Sequence, residues 1–336
     1  MKTIQFDNGE QMPILGLGTW MSQPGEVYEA VKEAVRFGYR HIDCSPIYGN
    51  EAEIGQALGE SFKEGAVSRE QMWITSKLWN DSHDPEEVRS ALEKTLADLQ
   101  LDYLDLYLMH WPVALKKGVF LPESPEDLIS LNTLPLLETW EAMEKLVDKG
   151  LCRHIGVSNF SIVKLRELLN GVRLKPEMNQ IELHPYLQQP EMLDFCTKNG
   201  IHLTAYSPLG SLDRPDSLKA ESDPVLLEDA TIRAIAKRHQ ATPAQVLISW
   251  AIQRETVVIP KSVNPARLKQ NLAAAEVSLT EEDMQEIARL NRNFRYYSGE
   301  FWVLPGGPYT LANIWDDSSS LVTGEAIPVG GSYKAK

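Results

Sequence analysis

Cysteine is scarce in this chain, basic residues are outnumbered, and long apolar runs are missing. Cys44, Cys152 and Cys196 are odd in number and widely spaced. That fits a reduced compartment better than a disulfide framework, and all three are read as free thiols. No stretch approaches the ~18 apolar residues of a membrane span, and residues 1–10 carry no apolar core of signal-peptide length, so a soluble, cytoplasmic protein without a membrane partner is expected. Lys and Arg total 33 against 47 Asp and Glu, a net charge of −14. A nucleic-acid footprint needs a basic patch or stripe, so nucleic acid is not an expected partner, and any anionic ligand must meet a local cluster of Lys and Arg. Gly16-Leu17-Gly18 offers a glycine pair, but Met21 stands where the dinucleotide fingerprint needs a third glycine, and no long Val/Ile-rich strand precedes it. No HxxxH-type spacing suggests a metal, and His41, His83, His154, His184, His202 and His239 read as structural or surface residues.

What remains is ordinary globular material, 43% hydrophobic and 24% charged, enough for a large core. The length of 336 residues suits either two average domains or one barrel, so the alternation of elements must decide. Two short strands around Asp7-Asn8-Gly9-Glu10 come first, a hairpin able to plug one end of a barrel. Short β-type runs and helices then alternate. Asp84-Pro85-Glu86-Glu87 reads as a helix start, Thr242-Pro243-Ala244-Gln245 as a capping box, and Thr280-Glu281-Glu282-Asp283 as a close variant. Eight strands follow from Leu15 onward. The pattern predicts an α/β fold, a (β/α)₈ barrel with an N-terminal β-hairpin cap, spanning residues 1–336 as one domain. Long loops leave strand four (roughly 111–133) and strand seven (roughly 208–224), and an aromatic tail occupies about 292–336.

Residues 38–55 place Asp43 and Tyr48 where a strand ends. Lys77 follows Asp43 by 34 residues and His110 follows Lys77 by 33, each closing an apolar run. A barrel divides ~250 residues into eight units of about 31, so residues recurring at that interval fall on successive strands at one mouth. A phenol alone is a poor acid at neutral pH, with a reference pKa near ~10. A neighbouring ammonium favours the phenolate, and a carboxylate beyond holds the ammonium in place. Asp43, Lys77 and Tyr48 can form that chain, with His110 orienting a bound carbonyl. Side chains carry no hydride, so reduction needs a cofactor. Ser158, Asn159 and Gln180 at the ends of strands five and six suit a carboxamide, and Tyr206 after strand seven offers a face for ring stacking. Lys261 and Arg267, where a helix opens after strand eight, supply local positive charge for phosphate.

Taken together, residues 38–55, Leu101 to Pro112, Gly156-Val157-Ser158-Asn159-Phe160, Ala205 to Ser211 and Ile259-Pro260-Lys261-Ser262 resemble the aldo-keto reductase family over about Met12 to Asn291. The likeness is strongest to its NADP-dependent aldehyde reductase branch, through Gly49-Asn50-Glu51, Thr75 to Asn80 and Leu96 to Leu101. The resemblance implies reduction of aldehydes and some ketones with NADPH bound without a Rossmann domain. It casts Tyr48 as proton donor, Asp43 and Lys77 as its tuning pair and His110 as the orienting residue. It places Ser158, Asn159, Gln180 and Tyr206 on the nicotinamide and Ser207, Leu209 and Ser211 on the pyrophosphate. Lys261, Ser262, Arg267, Gln270 and Asn271 fall at the adenosine end, and Gly18, Thr19, Trp20, Asp43, Ile259, Pro260 and Val263 complete the expected cofactor set. A small carbonyl compound is the expected substrate, no metal is expected, and the chain is expected to be a monomer.

Plainer readings stand beside these. Asp43 with Lys77 is also what an ordinary buried ion pair looks like. Trp20, Trp79 and Trp111 follow strands one, three and four and serve either as a wall of a substrate pocket or as core. The tail matches the family poorly, with no obvious arginine among its aromatics of the kind aldehyde reductases use for acidic substrates. Its aromatics either close the pocket, with Phe301 or Trp302 beside Tyr48 and His110, or form an interface. A cofactor-bound sensor and a barrel hydrolase are the competing function classes, the latter wanting a metal cluster or paired carboxylates at strand ends.

Overall fold

The computed structural model describes residues 2–316. Strands β1 (Thr3–Gln5) and β2 (Gln11–Pro13) pair antiparallel, with Ile4 opposite Met12. Phe6, beside this hairpin, stacks 5.2 Å from Trp73 and 4.2 Å from His154, both near the starts of barrel strands, so the hairpin closes the end away from the strand carboxyl termini.

The barrel runs through β3 (Leu17–Gly18), β4 (His41–Asp43), β5 (Trp73–Leu78) and β6 (Leu104–Met109). A small antiparallel pair, β7 (Ala114–Leu115) with β8 (Leu128–Ile129), sits inside the loop after β6. Its strands are too short to leave a period-two signal in the sequence. Then come β9 (Cys152–Ser158), β10 (Met178–Glu182), β11 (His202–Tyr206) and β12 (Val257–Val258). All eight barrel strands pair parallel in order, and bridges from Leu15 to Val258 and from Gly18 to Lys261 join the first to the last. The glycine pair serves this closure rather than a phosphate. A Cβ on Gly18 would lie 2.7 Å from the Ile259 carbonyl oxygen, and one on Gly16 would lie 2.4 Å from the His41 ring.

Helices α1 (Glu26–Phe37), α2 (Glu51–Lys63), α3 (Val88–Leu99), α4 (Leu136–Asp148), α5 (Ile162–Leu169), α6 (Pro190–Lys198), α7 (Ala230–Arg238), α8 (Pro243–Gln253), α9 (Pro265–Ala273), α10 (Glu281–Ala288) and the short α11 (Leu311–Trp315) follow. The sequence signals for α8 and α10 hold. Thr242 Oγ1 accepts from the Gln245 N–H at 3.2 Å while Gln245 Oε1 accepts from the Thr242 N–H at 2.9 Å, and Thr280 with Asp283 repeats the motif. Asp84 behaves differently. Its carboxylate accepts from the Glu86 N–H and its carbonyl from the Glu87 N–H, which makes a separate turn, and α3 begins only at Val88.

The main core fills the barrel and the layer beneath the helices. A second apolar cluster, Trp111, Val113, Leu115, Leu128, Trp302, Tyr309, Ile314 and Trp315, joins the loop after β6 to the tail. The tail aromatics are thus packed within this chain. The expected extension of the tail to residue 336 lies partly outside the described residues. Among the described residues, no helix is long and apolar enough to cross a membrane, and the three cysteines are buried and unpaired.

Candidate active site

Strand register brings the four central residues together. Gly18 pairs with Asp43, Asp43 with Thr75, and Lys77 with Leu108, so Asp43 and Lys77 stand on adjacent strands, offset along them, and His110 follows the end of the next strand. Side chains alternate across a strand, so Thr75 and Lys77 share one face. The fully buried Lys77 Nζ donates to Asp43 Oδ1 at 2.5 Å and to the Cys44 carbonyl at 2.9 Å, and lies 3.4 Å from Tyr48 Oη. Tyr48 closes the 3₁₀ turn Pro46–Tyr48, and its ring meets His110 edge-on at 6.1 Å.

The rest of the mouth is tied to this group. Gln180 Nε2 donates to Asp43 Oδ2 at 2.8 Å from across the barrel, and Thr19 Oγ1 donates to the Asp43 carbonyl at 2.8 Å. Asn159, in left-handed backbone (φ 63), donates through Nδ2 to the His110 carbonyl at 3.0 Å and accepts from Tyr206 Oη at 2.8 Å. Ser158 Oγ donates to the Gln180 carbonyl at 2.8 Å. Ser45 Oγ lies 3.1 Å from His110 Nδ1.

Burial sets the electrostatics. It pushes the Tyr48 phenol up to about 12, while the Lys77 ammonium acts in the opposite direction, as a neighbouring cation should, and is outweighed by desolvation. Burial alone would lower the pKa of Lys77, but Asp43 and then Tyr48 outweigh it and hold the amine charged. Burial, aided by the Lys77 charge, holds His110 well below the ordinary histidine range and therefore neutral.

A continuous cavity of about 3450 Å³ opens above these groups. Asp43, Tyr48 and His110 line its floor, with Lys77 buried behind them. Gly18, Thr19, Trp20, Ser158, Asn159, Gln180 and Tyr206 border the same space, which extends past Ser207, Leu209 and Ser211 to Ile259, Pro260, Lys261, Ser262, Val263 and Arg267. Lys261 Nζ pairs with Asp213 at 3.1 Å, whereas the exposed Arg267 guanidinium has no ion-pair partner among the described residues. Gln270 and Asn271, also expected at the adenosine end, are not among the residues that border the cavity. Gln270 is exposed on α9 and its carbonyl accepts from Gln245 Nε2 at 3.1 Å, and Asn271 is buried.

Trp20, Trp79, Trp111 and Phe301 line the cavity as expected of a pocket wall, but Trp302 does not. It is fully buried behind the wall, 5.9 Å from Trp79 and 5.8 Å from Trp111, because the second cluster closes around it. The tail also brings an arginine to the cavity that the sequence reading did not single out. Arg295 borders the cavity with its guanidinium 3.9 Å over the Trp315 ring. Tyr297 was overlooked as well: it meets Trp20 and Tyr206 edge-on and shares a 2.7 Å hydrogen bond with Ser211. Wholly buried Glu182 accepts from the backbone N–H groups of Tyr296 at 2.6 Å and Tyr297 at 2.9 Å. Strand alternation carried a signal for it, since Glu182 shares a face with Gln180 two residues earlier. Of the histidines, only His110 lines the cavity, and no group of three metal-ligating side chains stands among the described residues.

Comparison with known proteins agrees with this geometry. The Aldo/keto reductase family pattern matches residues 14–292. The chain is 56% identical over 317 residues to the aldo/keto reductase slr0942 of Synechocystis sp., covering 94% of this chain and 97% of that one. It is 48% identical over 295 residues to human aldo-keto reductase family 1 member A1, covering 87% and 90%. Among solved structures, an aldose reductase from Schistosoma japonicum superposes with a TM-score of 0.82 at 41% identity, covering 90% of this chain and 96% of that one. The chain belongs to the aldo/keto reductase family.

Proposed function

We propose that this protein is an NADP-dependent aldehyde reductase that converts aldehydes, and some ketones, to alcohols using NADPH. The observation that carries the reading is the Asp43–Lys77–Tyr48 chain beside a neutral His110 on the floor of one cavity. The residues present fit the cofactor. Arg267 and Lys261 line the same cavity as Asp43, Tyr48 and His110, and Arg267 keeps its guanidinium without an ion-pair partner among the described residues. A planar guanidinium grips phosphate by two charge-assisted hydrogen bonds, which favours NADPH over NADH.

NADPH, when bound, supplies the hydride. Tyr48 keeps its proton at neutral pH because its site is desolvated, and gives it to the carbonyl oxygen as negative charge builds there. Lys77, charged and fixed by Asp43 at 2.5 Å, stabilises the phenolate left behind. Gln180 braces the second oxygen of Asp43, so the pair cannot turn away from the mouth. His110 orients the carbonyl, and Trp20, Trp79, Trp111 and Phe301 exclude water around it. In this reading residues 1–336 form one domain, working as a cytoplasmic monomer.

Reactive aldehydes and sugar aldehydes are the substrate classes to assay, the latter suggested by the aldose reductase among the structural neighbours. The test is a panel of aldehydes and ketones followed by loss of NADPH absorbance. Arg267→Ala should weaken NADPH binding by roughly 10- to 150-fold, as loss of a charged hydrogen bond of ~1.5–3 kcal/mol implies, and hardly touch NADH. No oxidation of NADPH with any compound, or equal weakening of both cofactors, would count against the reading.

A further inference from the structure

Ser45 does something its position does not require. It precedes the 3₁₀ turn Pro46–Tyr48 with extended backbone (φ −164, ψ 142), where a serine oxygen ordinarily accepts a hydrogen bond from an N–H of the turn. No such bond forms. The side chain is wholly buried, and among the described residues its partner is His110 Nδ1 at 3.1 Å.

A neutral imidazole has one N–H and one bare nitrogen. If Nδ1 is bare, the Ser45 hydroxyl donates to it and both groups are satisfied. If Nδ1 carries the hydrogen, the ring donates to Ser45 Oγ and strands the serine hydrogen in a site sealed from water. Buried polar groups overwhelmingly adopt the satisfied arrangement. The ring itself has little freedom: Trp79 meets it edge-on at 5.1 Å, Tyr48 at 6.1 Å, and Asn159 holds its backbone carbonyl at 3.0 Å. Proton placement is what remains to be set.

We propose that Ser45 is a positioning residue that fixes the tautomer of His110, keeping the hydrogen on Nε2 and so making His110 a hydrogen-bond donor toward the oxygen of a bound carbonyl. The proposal rests on the reductase reading above for its catalytic consequence, but the tautomer itself does not depend on turnover. With the opposite tautomer Nε2 would present a lone pair to the carbonyl oxygen and repel it. Ser45 thus acts on chemistry through His110 and touches neither substrate nor cofactor in this account.

The test is nitrogen NMR of the full chain labelled with ¹⁵N-histidine, with the His110→Gln spectrum identifying the His110 signals. The expected result is a bare, pyridine-like Nδ1 and a protonated, pyrrole-like Nε2 in the native protein. In Ser45→Ala the two nitrogens should move toward averaged values, with kcat for an aldehyde falling roughly 3- to 10-fold, as loss of one neutral hydrogen bond allows, and the NADPH dissociation constant unchanged. A protonated Nδ1 in the native protein would overturn the proposal, as would a Ser45→Ala protein with the same nitrogen signals and the same kcat. Because the spectrum needs no substrate, a protein that reduces no carbonyl compound would defeat the reductase reading while the tautomer is still decided.

Discussion

Asp43, Lys77 and His110 stand on or just after three neighbouring strands whose backbone pairing fixes where each side chain begins, whereas Arg295, Phe301 and Trp315 stand on a segment with no strand among its described residues, one 3₁₀ turn and one short α-helix. The facing wall has to be held by side chains from elsewhere. Glu182 takes the backbone of Tyr296 and Tyr297. Lys164 donates to the Asn313 carbonyl at 2.6 Å and to Asp316 at 2.5 Å, and Ser161 bonds Asp316 as well. Tyr309 Oη accepts from the Ala114 N–H at 2.8 Å and donates to the Ile129 carbonyl at 2.6 Å, which staples the tail to the loop after β6. The difference separates two tasks. A strand-built wall places reacting groups to within tenths of an ångström, while a wall of side-chain anchors encloses the pocket and can vary with the substrate.

The sharpest way to break that comparison is on the strand side. Tyr48→Phe should lower kcat by at least ~10²–10⁴-fold, the usual contribution of general acid catalysis, while NADPH still quenches the protein's tryptophan emission. Near-normal turnover would remove Tyr48 from the chemistry. On the tail side, Glu182→Ala deprives two buried N–H groups of their acceptor, at about 1–3 kcal/mol each. Limited proteolysis should then cut the tail early and Michaelis constants for bulky aldehydes should rise, with kcat for small ones nearly intact. A uniform fall in kcat across all substrates would show that the two walls are not separable in this way.

The smallest effect expected concerns pH. Glu51, buried on α2 and hydrogen-bonded by Ser76 and Thr95, is raised to about 7 by desolvation, from an ordinary value near 4.5. A folded value above the unfolded one means the contribution is present at low pH and lost as pH rises through about 7. Glu51→Gln should therefore gain stability relative to the native protein between pH 5 and pH 8, by up to about 3 kcal/mol in urea unfolding. Parallel pH curves for the two proteins would show that Glu51 does not titrate there.

The same contrast explains what the sequence could disclose. Spacings near 33 residues reveal Asp43, Lys77 and His110 because a repeating strand–helix unit converts sequence interval into position around a barrel. Helix starts at Thr242 and Thr280 are local, and local signals survive in one dimension. Trp302 and Phe301 are adjacent aromatics with nothing local to distinguish them, and only the packing of Trp79 and Trp111 decides that one is core and the other faces the cavity. Arg295 and Tyr297 were missed for the same reason. Nothing local marks Ser45, since its partner His110 is 65 residues away. Gln270 and Asn271 lie three and four residues after Arg267 on α9, so they share its helix face, and their place relative to the cavity depends on the packing around α9.

In the proposed reaction a cofactor-borne hydride reaches a carbonyl carbon on this floor. The direct measurement supplies the native protein with NADPH deuterated at the transferable C4 position and an aldehyde, then locates the label by mass spectrometry. One deuterium on the carbinol carbon of the alcohol, formed in step with loss of NADPH absorbance, is the predicted result. An alcohol free of label, or no alcohol while the deuterated cofactor remains bound and unchanged, would contradict it.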